Sequence, residues 1–310
     1  MMSKMMRAAA IDEFGPADVL RVRELPRPTI SADEVLVQVM NAGVQVTDAA
    51  IRAGWAPPGA TIEFPQILGN EFSGIIDQVG DEVRGFSPGD PVAGFNLLGC
   101  YAEYVAVPQA QIVAKPQAVS WQAAGALSAS GQTAHTAFED LAVGAGDVVL
   151  VHGAAGGVGT IFTQLAVRTG ASVIGTASEA NHGYLESLGA TAVTYGPGQT
   201  DRIRDISPRV DVAFDAAGHE NLRTAVELVA DRGRIATIVD MPLAQELGCR
   251  IVRSRRSGRR LADLMGLLAR GDLHVHVRDR YLLDQVADAH RDVESGHGRG
   301  KVVLDVRPAQ

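Results

Sequence analysis

The fold is decided by the stretch Val148-Val149-Leu150-Val151-His152-Gly153-Ala154-Ala155-Gly156-Gly157-Val158-Gly159. Its apolar first half is typical of a buried strand, and Ile161, Phe162 and Leu165 then recur at helical spacing. The strict pattern G-x-G-x-x-G is not met, because Ala154 occupies the first of its three positions. The stretch nevertheless lies in a strand, turn, helix and strand unit over 148–177, which is the context that gives such a turn its meaning.

A glycine-rich turn in this context predicts dinucleotide binding rather than a purely structural turn. Gly156 lets the backbone approach a pyrophosphate, and Gly159 lets the helix pack closely on the strand. The N–H groups at the start of the helix then receive the anion. The candidate cofactor-binding residues of the turn are Ala155, Gly156, Gly157, Val158 and Gly159.

The segment Gly175-Thr176-Ala177-Ser178 bears on which dinucleotide is bound. It occupies the place, about 20 residues after the turn, where an acidic residue would bind the adenine ribose 2′-hydroxyl. Without a carboxylate a 2′-phosphate is not repelled, and Thr176 and Ser178 can donate hydrogen bonds to it, which favours NADPH. The alternative is that Glu179 turns inward and binds the ribose of NADH, since no Arg or Lys follows directly.

Length and composition indicate an ordinary globular protein of roughly two domains. Of 310 residues 46% are hydrophobic and 21% charged, which excludes a disordered chain. The net charge of −8 argues against a nucleic-acid or anionic-membrane partner. Cys100 and Cys249 are isolated, and no signal peptide or membrane span is evident, so we expect a cytoplasmic protein without disulfides.

The hydropathy pattern divides the chain near residue 120. Before it, short runs alternate with period two and predict a mostly β domain, whose strands we place at 35–39, 72–79, 92–95 and 101–107. Ser120 is a candidate N-cap of a helix that continues to Gly144, and strands and helices alternate afterwards, which predicts a doubly wound parallel sheet. A terminal strand over 301–306 is expected to pair back with the first domain.

Several ordered motifs resemble the medium-chain dehydrogenase/reductase superfamily, in its zinc-independent quinone oxidoreductase (zeta-crystallin-like) branch. They are Gly43-Val44-Gln45-Val46-Thr47-Asp48, Leu68-Gly69-Asn70-Glu71-Phe72-Ser73-Gly74, Gly85-Phe86-Ser87-Pro88-Gly89-Asp90-Pro91-Val92, Ala154-Ala155-Gly156-Gly157-Val158-Gly159 and Gly300-Lys301-Val302-Val303-Leu304. The resemblance implies an α/β protein with a GroES-like, barrel-shaped substrate domain over 1–122 and 258–310. It also implies a Rossmann domain over 123–257, an active site in the cleft, and a homodimer.

The resemblance also implies that the metal ligands of zinc-dependent relatives are missing. Those relatives place Cys, His and a Cys or Asp where this chain has Gln45, Asn70 and Ala129. Amides are poor replacements for thiolate and imidazole, so we expect no zinc, although a makeshift site of Glu71 and His135 is the alternative. Without a Lewis acid the suitable acceptor is one that delocalises charge itself, a quinone or an α,β-unsaturated carbonyl compound.

The resemblance assigns roles to further side chains. Gln45 and Thr47 are the candidate catalytic residues, as donors of a hydrogen bond or proton to the substrate oxygen, unless they are simply turn residues. Asp48 is expected to cap a helix over 49–52, and Ala56 stands where the family commonly has Tyr, which puts direct quinone chemistry in doubt. The candidate substrate-binding residues are Trp55, Phe64 and Asn70, the two aromatics having a core position as their alternative.

Three cofactor contacts follow from the same resemblance. Tyr195 follows the third Rossmann strand on the phosphate side, Gly218 would let the backbone approach the nicotinamide ribose, and Thr133 would face the nicotinamide. The expected activity is therefore NADPH-dependent reduction of a small-molecule substrate, a quinone or an enone. The alternatives are an enoyl reductase or tailoring enzyme of secondary metabolism, and a non-catalytic NADPH- or RNA-binding protein.

The stretch 250–260 is strongly basic, with six arginines in eleven residues. It could bind nucleic-acid phosphates, a carrier protein or the cofactor 2′-phosphate. No aromatic residues that could stack on bases interleave with the arginines, so we expect a solvated connection between the domains.

Overall fold

The computed structural model describes residues 4–296 and 298–307. The chain forms two compact units: unit 1 combines Met1–Ala129 with Ser257–Gln310, and unit 2 is Ser130–Arg256. Each unit has its own sheet and its own buried side chains. No helix in the described parts of the chain is both long and apolar enough to cross a bilayer.

The strands are β1 Met5–Ile11, β2 Arg21–Pro26, β3 Glu34–Val44, β4 Gln66–Ile67, β5 Glu71–Val79, β6 Pro91–Phe95, β7 Tyr104–Pro108, β8 Ile112–Ala114, β9 Val148–His152, β10 Ser172–Ala177, β11 Ala190–Thr194, β12 Val212–Asp215, β13 Ile235–Thr237, β14 Arg250–Ile251, β15 Val277–Leu282 and β16 Lys301–Asp305. The α-helices are α1 Val46–Arg52, α2 Trp121–Gly125, α3 Ser128–Asp140, α4 Gly157–Arg168, α5 His182–Ser187, α6 Gln199–Ile206, α7 Asn221–Leu228, α8 Met241–Leu247, α9 Gly258–Ala269 and α10 Val286–Glu294.

Unit 1 is built on a seven-stranded sheet in the order β15-β16-β3-β5-β6-β8, with β7 also paired to β3, and on a smaller sheet β2-β1-β4. Alternate side chains of β3, such as Val35, Val37 and Val39, are buried and pack in one core with Phe72 and Ile76 of β5. The predicted mostly β domain is confirmed.

The terminal strand does return to the first part of the chain, as predicted. β16 pairs antiparallel with β3, and Val302 lies opposite Val44. This register places Lys301, the first residue of β16, at the level of Gln45 just beyond the end of β3. Residues from the two ends of unit 1 therefore meet where β3 leads into α1.

Unit 2 contains a six-stranded sheet in the order β11-β10-β9-β12-β13-β14, in which every pairing is parallel. Numbered within the unit this order is 3-2-1-4-5-6, the Rossmann arrangement, with the first strand beside the fourth. The predicted doubly wound parallel sheet is confirmed. The glycine-rich turn joins β9, a central strand, to α4.

The helix predicted from Ser120 to Gly144 is two helices. Ser120 caps α2 as expected, its hydroxyl oxygen accepting from the Ala123 N–H at 3.2 Å. α2 ends at Gly125, which approaches the β3 backbone so closely that a Cβ there would lie 2.9 Å from the Asn41 carbonyl oxygen. α2 packs on β3 and β5 and belongs to unit 1, so the units divide after Ala129 rather than at the expected residue 122.

The basic stretch is only partly the solvated connection that we expected. Arg250 and Ile251 form the edge strand β14, and Val252 is buried. The Arg255 guanidinium binds both carboxylate oxygens of Asp140, at 2.8 and 3.0 Å. Hydropathy periodicity did not predict α6, α8, α10 and β15, which are only 8, 7, 9 and 6 residues long.

Candidate functional site

The turn between β3 and α1 gathers the polar residues of unit 1. Gln45 is the N-cap of α1, and its backbone N–H donates to the Asp48 carboxylate at 2.9 Å. The prediction that Asp48 precedes and caps a helix over 49–52 is wrong, because α1 begins at Val46 and Asp48 lies in its first turn, where its carboxylate binds the N–H of the N-cap residue. Gln45 is half-buried and Thr47 is exposed, so both candidate catalytic side chains can be reached from solvent.

Asp48 is itself fully buried, in a network that the sequence did not reveal. It accepts hydrogen bonds from the Asn70 amide at 3.0 Å and from the Tyr101 hydroxyl at 2.7 Å. Burial raises the pKa of Asp48 to about 6, against the lowering effect of the Tyr101 and Gln45 hydrogen bonds. The Asn70 side chain is therefore buried and bound to a carboxylate, and its predicted contact with substrate stays a prediction.

Glu71, also fully buried, lies beside this network and ties together three parts of unit 1 that are far apart in sequence. Its carboxylate accepts from the Gln45 side-chain amide, from the Lys301 ammonium at 3.0 Å and from the Ala129 backbone N–H at 2.6 Å. A Cβ on Gly43 would lie 2.0 Å from a Glu71 carboxylate oxygen, so the missing side chain at Gly43 makes room for the carboxylate.

These residues do not fit a zinc ion. Gln45 and Asn70 point their amide nitrogens at carboxylates, and Ala129 offers only a methyl group and a backbone N–H that is already donated. Zinc requires thiolate, imidazole or carboxylate ligands in tetrahedral array. Within residues 4–296 and 298–307, no group of three or more His, Cys, Asp or Glu side chains is placed to hold a metal ion.

Exposed aromatic side chains lie near the other end of α1. Trp55 is 47% and Phe64 44% exposed, so the alternative that they are core residues is wrong. The backbone N–H of Trp55 donates to the Ala50 carbonyl of α1 at 3.0 Å. The Phe64 ring meets the Phe14 ring edge to face at 5.1 Å, and Phe14, also exposed, was missed because it follows an Asp-Glu pair in a loop.

The glycine-rich turn of unit 2 has the geometry of an anion cradle. Gly153 has φ +71°, and a Cβ on Gly159 would lie 2.2 Å from the Gly153 carbonyl oxygen, so only glycine fits there. Gly156 is the N-cap of α4, and Gly157, Val158 and Gly159 supply first-turn N–H groups that have no acceptor within the helix. Together with buried Ala155, these residues fit the pyrophosphate of a dinucleotide.

Beneath the turn a row of buried polar side chains crosses the carboxyl edge of the sheet. Thr176, His152, Asp215 and Thr237 lie side by side on β10, β9, β12 and β13. The Thr237 hydroxyl donates to Asp215 at 2.8 Å, and the Asp215 carboxylate also accepts from the Gly218 N–H at 2.9 Å. Burial is the main cause that raises the pKa of Asp215, and it lowers the pKa of His152 to about 4.

Thr176 is held in this row by its neighbours. Its hydroxyl lies 3.3 Å from the His152 ring nitrogen Nδ1 and accepts from the Gly153 N–H at 3.4 Å, and the residue is buried. The hydroxyl thus contacts the turn, and its predicted hydrogen bond to a 2′-phosphate stays a prediction. Ser178 is half-buried just beyond β10, and its hydroxyl accepts from the Asn181 amide at 3.1 Å, so it can still donate its proton outward.

The remaining predicted cofactor residues are placed as follows. Tyr195 is exposed directly after β11, and Gly218 has φ +75° in the turn after β12, where a side chain would be strained. Thr133 is half-buried on α3. Their contacts with a cofactor stay predictions.

Comparisons with known proteins agree with this architecture. Residues 31–117 match the alcohol dehydrogenase GroES-like domain family, and residues 188–304 match a zinc-binding dehydrogenase family. The chain is 30% identical to quinone oxidoreductase of Mus musculus, over 97% of this chain and 98% of that protein. It is also 30% identical to the chloroplastic NADPH-dependent alkenal/one oxidoreductase of Arabidopsis thaliana, over 97% of this chain and 80% of that one.

A solved structure, the quinone oxidoreductase from Coxiella burnetii, superposes with a TM-score of 0.88 at 30% identity. The superposition covers 98% of this chain and 100% of that one.

Proposed function

The chain belongs to the medium-chain dehydrogenase/reductase superfamily, in its quinone oxidoreductase branch, and on this basis we propose that it is an NADPH-dependent, zinc-independent reductase of quinones or α,β-unsaturated carbonyl compounds. It is an oxidoreductase of a family that binds nicotinamide cofactors. The single observation that carries the proposal is that Gln45, Asn70 and Ala129 offer no side chain suited to bind zinc.

The turn Ala155 to Gly159 would hold the pyrophosphate, and Ser178 would donate to the 2′-phosphate. When bound, NADPH supplies the hydride. Gln45 has two amide hydrogens, of which one is donated to Glu71, and the second is available for the substrate oxygen as negative charge develops there. The exposed Thr47 hydroxyl is suited to pass a proton to the same oxygen, and Trp55 and Phe64 offer apolar surface to the substrate.

The proposal is tested by mixing the protein with NADPH and either 1,4-naphthoquinone or a short enone and following nicotinamide absorbance. We expect oxidation of NADPH, faster than that of NADH. A protein that binds NADPH tightly but oxidises it with no acceptor of a broad panel would instead be a non-catalytic binding protein.

Gln45→Ala probes the predicted donor. Loss of one hydrogen-bond donor to a developing oxyanion lowers kcat by about a hundredfold, so enone reduction should fall to that degree while the NADPH dissociation constant stays unchanged. Reduction of a quinone, which delocalises the charge itself, should fall less. An unchanged kcat with the enone would remove Gln45 from the mechanism.

A further inference from the structure

Lys301 and Glu71 form an ion pair in the interior of unit 1. Their side chains are 5% and 0% exposed, and the ammonium nitrogen lies 3.0 Å from the carboxylate oxygen. Removing two charges from water is expensive, and such a pair often adds no stability over apolar side chains of the same size. Stability alone therefore does not account for a charged pair placed next to Gln45.

Glu71 determines which way the Gln45 amide faces. The Glu71 oxygen that accepts from Lys301 also accepts from the Gln45 amide nitrogen, and its other oxygen is occupied by the Ala129 N–H. An ionised carboxylate only accepts hydrogen bonds, so Gln45 must present its NH₂ group to it and not its carbonyl oxygen. The position of the NH₂ group is thereby fixed. Because the amide is planar, the direction of its second hydrogen is fixed as well.

The same carboxylate creates an electrostatic problem for reduction. In hydride transfer to an enone, the hydride forms a C–H bond at the β-carbon while the C=C electrons move toward the carbonyl, whose oxygen becomes an enolate. A buried negative charge one hydrogen bond beyond Gln45 would oppose that enolate, and the effect is strong in a medium of low dielectric constant. Lys301 places a positive charge against Glu71 and offsets this repulsion.

We propose that Lys301 is a positioning residue for hydride transfer: through Glu71 it fixes the Gln45 amide with its nitrogen available to the substrate oxygen, and it neutralises the carboxylate behind that amide. The inference rests on the proposed function, since it assumes that Gln45 meets the substrate oxygen. It adds to that function Lys301, which lies 256 positions after Gln45 in the sequence and touches no substrate.

The experiment compares four variants of the full chain in steady-state reduction of an enone and of 1,4-naphthoquinone by NADPH. Lys301→Met removes the positive charge, Lys301→Arg keeps it, and Glu71→Gln keeps the size of the side chain but no longer dictates the amide direction. Lys115→Met is the matched control: Lys115 is also a buried lysine of unit 1, but its ammonium binds the carbonyls of Pro116 and Val119.

For Lys301→Met we expect kcat with the enone to fall about tenfold or more, with KM and the NADPH dissociation constant within about twofold of wild type. Glu71→Gln frees the Gln45 amide but also removes the opposing charge, so its kcat should fall less, by about threefold. The quinone rate should fall less, and Lys301→Arg should recover most of the enone rate. Lys115→Met loses a comparable amount of stability, measured by urea unfolding, yet should keep its kcat. If Lys301→Met does not fold, Lys301→Arg and Glu71→Gln give the answer between them.

The possible failures are distinguishable. Wild-type kcat in folded Lys301→Met or in Glu71→Gln, or an equal loss in Lys115→Met, overturns the role of Lys301 and leaves the proposed function intact. Absence of NADPH oxidation by the wild-type protein with every acceptor overturns the proposed function and this inference with it.

Discussion

The glycine-rich turn of unit 2 and the polar cluster around Gln45 in unit 1 are built in different ways. The turn presents backbone N–H groups, and its residues are consecutive in the chain. The cluster presents side chains, and its members Gln45, Glu71, Ala129 and Lys301 come from four separate segments. The turn is supported by Thr176 and His152 below it, whereas the cluster supports itself through carboxylates that accept several hydrogen bonds each.

This difference predicts how each region responds to substitution. A backbone site fails when a side chain obstructs it, because nothing nearby can move aside. A side-chain site fails when one partner is removed, because the groups left behind stay buried without a hydrogen bond.

The largest effect is expected at Gly159. In Gly159→Ala the new Cβ would lie 2.2 Å from the Gly153 carbonyl oxygen and 2.8 Å from the Ala154 Cα, so the turn must open. We expect NADPH binding to be lost and the free energy of unfolding to fall by about 3 kcal/mol, measured by fluorescence titration and urea unfolding.

Gly183→Ala is the control in the same unit. Gly183 lies in α5, and no heavy atom lies within 4 Å of a Cβ built there. This variant should bind NADPH normally and be unchanged or slightly more stable, because alanine favours a helix over glycine. Normal cofactor binding by Gly159→Ala would show that the turn does not hold the pyrophosphate.

The two regions also differ in how far the sequence predicted them. The turn could be predicted because strand, glycines and helix follow one another, and the sheet order around it follows from the alternation of strands and helices. Gln45, Asn70 and Asp48 could be named from a motif, but their partners could not. Tyr101 reaches Asp48 from a loop far along the chain, and Lys301 reaches Glu71 because β16 pairs with β3; local periodicity contains neither contact.

Thr176 shows that a correctly predicted position does not give the direction of the side chain. Its position at the end of β10 was predicted correctly, but the direction of its hydroxyl depends on His152, a neighbour across the sheet. The break after α2 is similar, since it depends on how closely Gly125 approaches Asn41. Sequence patterns give the face and the element of a residue, whereas hydrogen-bond partners depend on the packed neighbours.

Acid is expected to affect the two regions in opposite ways. His152 has its pKa lowered from 6.5 to about 4 in the folded chain, so unfolding takes up a proton between these values. The stability it contributes is complete above pH 6.5 and is lost as the pH falls toward 4, by about 3 kcal/mol. His152→Gln should therefore lose less stability than wild type between pH 7 and pH 4.5 in urea unfolding.

Asp48 gives the opposite sign. Its pKa is raised from 3.8 to about 6, so the folded chain holds a proton that the unfolded chain releases. The contribution is complete below pH 3.8 and is lost as the pH rises through 6, again by about 3 kcal/mol. Asp48→Asn should steepen the loss of stability on acidification that His152→Gln makes shallower. If both variants change the slope in the same direction, at least one of these assignments is wrong.

The smallest effect separates two hydroxyls at the end of β10. We expect Ser178→Ala to weaken NADPH binding by about tenfold and leave NADH binding unchanged, because a hydrogen bond to a charged phosphate is worth about 1.5 kcal/mol or more. Thr176→Val should weaken the binding of both cofactors equally, by a few fold, since its hydroxyl contacts His152 and the Gly153 N–H. Titrating each variant with both cofactors measures this difference. If Thr176→Val selectively lost NADPH binding, the Thr176 hydroxyl would have to turn outward when the cofactor binds. The glycine-rich turn would then depend on a Thr176 side chain that moves.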